Sequence, residues 1–191
     1  MANEIDVDYF QKIINKLDSK VDYADIRVGD STSNTITMKD SKIDNVDTGI
    51  RFAVGIRVLK NGAWGSAYTT DIKKVEEVAE KATTLAGRLN SDVELTEANP
   101  HEDVVESKAK LKINDIPFEE KIEAMKEADS AAQLENIQSV NVTYSEAESK
   151  QLLLSTEGTN ILSNNNRTIF AMNSVASNGE VMQIGHKSLG G

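Results

Sequence analysis

Residues 50–68 read Ile50-Arg51-Phe52-Ala53-Val54-Gly55-Ile56-Arg57-Val58-Leu59-Lys60-Asn61-Gly62-Ala63-Trp64-Gly65-Ser66-Ala67-Tyr68. Ile50, Phe52, Val54, Ile56 and Val58 alternate, which places them on one face of a strand over 50–59. Asn61-Gly62 tolerates the positive φ angles of a type I′ turn, whose twist suits the flanking strands, so 63–68 returns as the second arm of a hairpin. Gly55 and Gly65 inside the arms predict a bulge or the close approach of another backbone. Trp64, the only tryptophan, and Tyr68 share a face of the return arm. They are either core aromatics or, if that face is open, a surface for a peptide or aromatic group.

Upstream, Tyr9, Phe10, Ile13, Ile14 and Leu17 recur at helical spacing and predict a helix over 6–17. Short strands are predicted at 24–28, 34–38 and 43–46, with turns at 29–31 and 39–42. Downstream, Ile72, Val75, Val78, Ala79, Ala82 and Leu85 stripe a helix over 71–86, with Asp71 as N-cap and Gly87 as C-cap. Residues 90–106 hold six acids, one Pro and no Lys or Arg. They read as an acidic connection, with an edge strand over 104–113. Pro117 starts a helix over 118–133. Strands follow at 137–144, 150–155, 160–162 and 168–177, with Asn164-Asn165-Asn166 as a turn. A second Asn-Gly, Asn178-Gly179, leads into 181–186.

The halves therefore run in one order: helix, strand, strand, short strand, long strand, Asn-Gly turn, strand. Ile26 and Met38 fall opposite Val142 and Leu154. Duplication of a helix-plus-sheet unit explains this, and so does a grammar common to antiparallel sheets. The fold class predicted is α+β, with units over 1–89 and 115–191 joined by the acidic connection 90–114. The glycine-rich end, 185–191, is expected to be a flexible stretch, as if the chain were cut at a linker.

The chain has 191 residues, 39% of them hydrophobic, enough for a core. Acids outnumber bases 31 to 21, for a net charge of −10. Phosphate binding needs Lys and Arg gathered on a face, and no basic run exceeds Lys73-Lys74, so nucleic acid and anionic membrane are poor partners. Cysteine is absent, which removes disulfides, thiol nucleophiles and Cys-based metal sites. No stretch approaches the ~18 apolar residues of a membrane span. The acidic N-terminus lacks the features of a signal peptide. A soluble cytoplasmic protein is expected.

Catalytic patterns are incomplete. His101-Glu102 begins like a zincin motif, but Glu106 stands where a second His is needed and Pro100 precedes it. His186, the other histidine, lies in the glycine-rich end, and no Gly-x-Ser-x-Gly elbow is present. Phosphate-binding glycine loops are missing. Glu119-Glu120 and Glu146/Glu148 read as solvated faces rather than acid/base pairs. The residues alone give a sheet-rich binding or scaffolding domain.

The stretch Tyr23-Ala24-Asp25-Ile26-Arg27-Val28, the run from Gly49 to Val58 and Gly62-Ala63-Trp64-Gly65-Ser66-Ala67-Tyr68 together resemble the N-terminal region of the TldD/PmbA family. The likeness continues through Glu119-Glu120-Lys121, Val142-Thr143-Tyr144-Ser145, Ser155-Thr156-Glu157-Gly158-Thr159 and the Gly185 to Gly191 end. The aromatic hairpin leans toward the TldD branch. The resemblance implies a zinc-dependent peptidase acting on unfolded or small peptides, cytoplasmic, and paired with a second TldD/PmbA-type subunit that lacks the metal in some members. Other associations of the family are peptide-antibiotic maturation, antitoxin degradation and the older label modulator of DNA gyrase. It also implies two similar α/β units that exchange N-terminal helices. The family's His-Glu-x-x-x-His zinc motif lies downstream of the matched region, so no catalytic or metal residue is carried over and no cofactor is expected in this chain. Trp64, Gly65 and Tyr68 are expected to border the substrate cavity and accept an extended peptide by strand addition. The alternative is a non-catalytic partner or stand-alone interaction module of the same fold.

Overall fold

The computed structural model describes residues 5–88, 91–96, 98–108 and 113–191. Among them lie α1 (Val7–Asp18), β1 (Tyr23–Lys39), β2 (Lys42–Lys60), β3 (Ala63–Thr69), α2 (Val75–Ala86), β4 (Glu102–Glu106), α3 (Phe118–Ala132), β5 (Ile137–Ser155), β6 (Asn160–Ser177) and β7 (Met182–Gly190). The fold is α+β. Strands hydrogen-bond in the order β3-β2-β1-β5-β6-β4, with β7 on β6. β4 runs parallel to β6, whereas the β2–β3 and β6–β7 pairs are antiparallel. No helix among the described residues is long and apolar enough to cross a membrane.

The long strands depart from the sequence reading. The segments expected at 24–28 and 34–38 are one strand, β1, and the expected turn at 29–31 is extended backbone within it. Likewise 43–46 merges with 50–59 in β2, 137–144 with 150–155 in β5, and 160–162 with 168–177 in β6. Asn164-Asn165-Asn166 is therefore strand, not turn. Polar residues suggested breaks, but partners distant in sequence satisfy several of them inside the sheet, as Asn34 and Glu146 do for each other at 3.0 Å. The glycine-rich end is likewise ordered: β7 pairs from Met182 through Gly190 with β6. The edge strand expected over 104–113 is found as the shorter β4, while 109–112 lie outside the described residues.

At the first Asn-Gly turn and at 39–42 the reading holds. Asn61 and Gly62 have φ of 52° and 70°, as a type I′ turn requires. A Cβ on Gly62 would also lie 2.0 Å from the Ser91 carbonyl oxygen. The turn expected at 39–42 is present, with Asp40 and Ser41 both at positive φ.

Two compact units form, and they interleave along the chain. Unit 1 comprises Met1–Ser31, Ile50–Glu106 and Ser149–Asn165; unit 2 comprises Thr32–Gly49, Ser107–Glu148 and Asn166–Gly191. This differs from the consecutive division 1–89, 90–114 and 115–191, because β1, β2, β5 and β6 each give one end to each unit. The order helix, long strand, long strand, hairpin strand nevertheless occurs twice, as α1-β1-β2-β3 and α3-β5-β6-β7.

Unit 1 packs α1 and α2 on one face of its strands. Asp6 caps α1 by accepting from the Tyr9 N–H at 3.0 Å, and the helix buries Phe10, Ile13, Ile14 and Leu17. These meet Ile26 of β1, Val54, Ile56 and Val58 of β2, and Leu152 and Leu154 of β5. Helix α2 lies against β3 so closely that a Cβ on Gly65 would sit 2.1 Å from the Ala82 carbonyl oxygen and 2.5 Å from the Ala86 nitrogen. Unit 2 has a smaller core, where Met125 of α3 meets Ile36, Met38, Val140 and Val142.

Candidate functional site

Strand parity sorts unit 1 into two faces. Ala24, Ile26 and Val28 of β1, with Val54, Ile56 and Val58 of β2, point at the helices. Asp25 and Arg27, then Gly55 and Arg57, and Trp64, Ser66 and Tyr68 of β3 occupy the opposite, outer face. Register sets Arg57 beside Ser66 and Gly55 beside Tyr68. β3 is also the terminal strand of its sheet, and among the described residues no strand pairs with its outer edge.

At the centre of this face is Asp25, fully buried. Its Oδ2 accepts from Arg57 Nη2 at 2.6 Å and Nε at 2.9 Å, two charge-assisted bonds to one oxygen. Its Oδ1 accepts a longer contact, 3.4 Å, from Arg27 Nε. The Arg57 guanidinium lies 5.3 Å from the Trp64 ring centroid, within cation–π range. Tyr23 meets Trp64 edge-on at 5.9 Å. The hydrogen bond to Asp25 strengthens Arg57's hold on its proton. Burial, followed by the Asp25 charge, raises the Tyr23 hydroxyl above its ordinary value. A groove of about 410 Å³ opens between Tyr68, Gly55, Arg27 and Arg57. A larger hollow, about 500 Å³, lies between α1 and α2. Its polar lining includes the exposed Lys16–Glu76 pair with Lys20 and Glu80, and it gathers neither aromatic rings nor a buried charge, so the outer face is the better site.

The structure brings Trp64 and Tyr68 together on that face and separates Gly65 from them. Trp64 is half-buried, and Tyr68 is 82% exposed, so neither is a core aromatic. Gly65 faces the helices, and the backbone that approaches it is that of α2. A foreign backbone therefore has no room there, which corrects the role expected for this glycine. Arg27 and Arg57 were not singled out by sequence reasoning. Their signal was present: Ile26-Arg27, Ile50-Arg51 and Ile56-Arg57 each pair an alternating apolar residue with an arginine, and parity sends all three arginines to one face.

The other candidates separate. His101 is exposed, with its carbonyl accepting from the Asn160 N–H. His186 Nδ1 lies 2.7 Å from Asn173 Oδ1 on the neighbouring strand. Among the described residues no three His, Cys, Asp or Glu side chains converge to hold a metal, so these residues do not fit a zinc site. Glu119 and Glu120 are exposed as expected, but Glu146 is not a solvated carboxylate. In unit 2 it accepts from Lys121 Nζ at 2.7 Å, Tyr144 at 2.8 Å and Asn34 at 3.0 Å, with both members of the ion pair under a tenth exposed. Burial pushes its carboxyl up, but the hydrogen bonds and the Lys121 charge outweigh this and hold it below its ordinary value. Burial, then the bond to Glu146, raises the Tyr144 hydroxyl. Saturated and enclosed, this group braces α3 against the sheet.

The family models for PmbA/TldA metallopeptidase domain 1 and the PmbA/TldA metallopeptidase central domain match residues 24–86 and 111–191. The architecture and both matches define two domains of the PmbA/TldA metallopeptidase type. The chain belongs to the TldD/PmbA family. It is 38% identical, over 98% of its length, to a protein named Metalloprotease from Methanothermobacter thermautotrophicus. It is 32% identical, over 93% of its length, to another from Methanocaldococcus jannaschii. It spans 41% of the length of each of these relatives. Among solved structures, a protein described as a modulator of a DNA gyrase from Thermotoga maritima shares the fold, with a TM-score of 0.78 at 18% identity, covering 96% of this chain and 42% of that one. TldE from Thermococcus kodakarensis superimposes with a TM-score of 0.72 at 18% identity, covering 95% and 42%.

Proposed function

We propose that this chain forms a non-catalytic wall of the substrate site in a cytoplasmic TldD-like zinc peptidase that acts on unfolded or small peptides. The observation that carries this reading is the outer face of unit 1, where exposed Tyr68, half-buried Trp64 and a groove of about 410 Å³ adjoin the outer edge of β3. An unfolded peptide presents bare backbone whatever its sequence, and an open strand edge can bind it through main-chain hydrogen bonds while rings pack on its side chains. The zinc and its ligands belong to the segment that carries the family's downstream His-Glu-x-x-x-His, and this chain supplies none of them. Strong identity to proteins named Metalloprotease favours the catalytic branch over a metal-free partner.

A second TldD/PmbA-type subunit is the proposed protein partner. Supporting it, every residue of β7 is exposed, with Met182, Ile184 and Leu189 all above 60%.

Tyr68→Ala in the peptidase that includes the downstream motif tests the reading. Because Tyr68 is already exposed, the substitution should leave the melting temperature unchanged while raising KM for an unfolded peptide several-fold. Unchanged kinetics would overturn it.

A further inference from the structure

We infer that the outer face of unit 1 holds an extended peptide in a trough and that Arg27 seats an acidic side chain in the middle of the bound segment. This rests on the peptide-binding reading of the same face. Two hollows of about 410 Å³ each adjoin there, sharing Arg27 and Gly55 as common walls. One runs toward Tyr68 on β3; the other runs past Gly29 and Ala53 to Leu153 and Ile161 on β5 and β6. Its floor is cleared by glycine: a Cβ on Gly29 or Gly55 would meet nothing within 4 Å. That is the opposite of Gly65, whose missing side chain makes room for a helix already in place.

Charge selects the ligand. Two arginines meet one carboxylate, so the cluster keeps a positive charge although the whole chain carries −10. Arg57 is committed to Asp25 through two nitrogens. Arg27 touches Asp25 only through Nε at 3.4 Å, its side chain is 64% exposed, and its terminal nitrogens have no partner among the described residues. A planar guanidinium so placed suits bidentate capture of a second carboxylate. Arg51 has the same parity on β2. Glu157, in the β5–β6 turn, acts on Tyr23, and Asp103 is paired with Ile161 on the terminal strand β4. Asp103 stands three strands from Arg27. Because the trough continues on both sides of Arg27, the seated carboxylate belongs to an internal Asp or Glu; a chain terminus would need a closed end. A polyphosphate backbone would need several such cations in a row and would meet the net negative charge of the rest of the chain.

Fluorescence anisotropy with the 191-residue chain tests this, using labelled, unstructured, C-terminally amidated peptides that differ only in a central Glu or Gln. The Glu peptide should bind at least fivefold more tightly, and Arg27→Gln should abolish the difference while Arg27→Lys retains part of it. Gly55→Val should weaken both peptides alike by filling the trough. If both peptides bind equally and remain sensitive to Gly55→Val, the acidic selection is wrong and the peptide face stands. If neither binds, both readings fall. A preference that appears only when the C-terminal carboxylate is left unblocked, or tighter binding of single-stranded DNA than of either peptide, also overturns the inference.

Discussion

Asp25 in unit 1 and Glu146 in unit 2 are both buried acids, yet the cations that meet them are placed differently. Lys121 is covered, with 9% of its side chain exposed, and its ammonium also donates to the Ile113 carbonyl at 3.2 Å. Arg57 and Arg27 keep 48% and 64% of their side chains exposed. An enclosed pair gains strong attraction only because its remaining donors and acceptors are satisfied, and losing one member leaves a buried charge. A half-open pair is screened by solvent and contributes less to stability, but its outer cation can still meet a ligand. One unit thus uses its ion pair as a brace, and the other keeps a charged surface over a buried anchor.

The largest effect should fall on the brace. Lys121→Met leaves Glu146 buried without its cation and should cost roughly 3–5 kcal/mol in denaturant unfolding; a loss below about 1 kcal/mol would show that Asn34 and Tyr144 suffice. Next, Arg57→Met should cost about 1–2 kcal/mol, reduced by solvent screening and by Arg27 remaining at the carboxylate. A cost equal to that of Lys121→Met would erase the distinction between the units.

A pH series sharpens it further. Glu146 is held below its ordinary value in the fold, so its contribution is full above the unfolded value, near pH 4.5, and is lost as the pH falls through the lower folded value. Glu146→Gln should therefore flatten the acid limb of the stability curve, whereas wild type loses stability there; identical acid limbs would contradict the sign of the shift. The smallest effect belongs to Arg27→Gln, within about 0.5 kcal/mol of wild type by thermal melting. A large loss would make Arg27 part of the scaffold.

The hairpin over 50–68 was legible because its information is local: alternation and an Asn-Gly turn are read within a few residues. The continuity of β1 and β5 was not, since Asn34 and Glu146 look like loop residues until the strand and helix that satisfy them are in place. The site divides the same way. Parity revealed that Trp64 and Tyr68 share a face, but whether that face is open depends on which side α1 and α2 cover. Gly65 gave the right signal, a close backbone, and the wrong visitor. Buried Asp25 was illegible because Arg57, the cation that pairs with it, comes from another strand 32 residues away.

The interleaving of the units also governs how the molecule can come into being. The Thr156 N–H donates to the Ala24 carbonyl in unit 1, and the Asp40 N–H donates to the Val140 carbonyl in unit 2. Contacts so far apart in sequence demand loop closure before they stabilise anything, and they slow folding. On the ribosome, the early hairpin can form as soon as it emerges, but unit 1 must wait for Ser149–Asn165 to complete it. Until then the arginines of β1 and β2 are present without the finished sheet beneath them, so the trough is assembled only once Ser149–Asn165 has emerged.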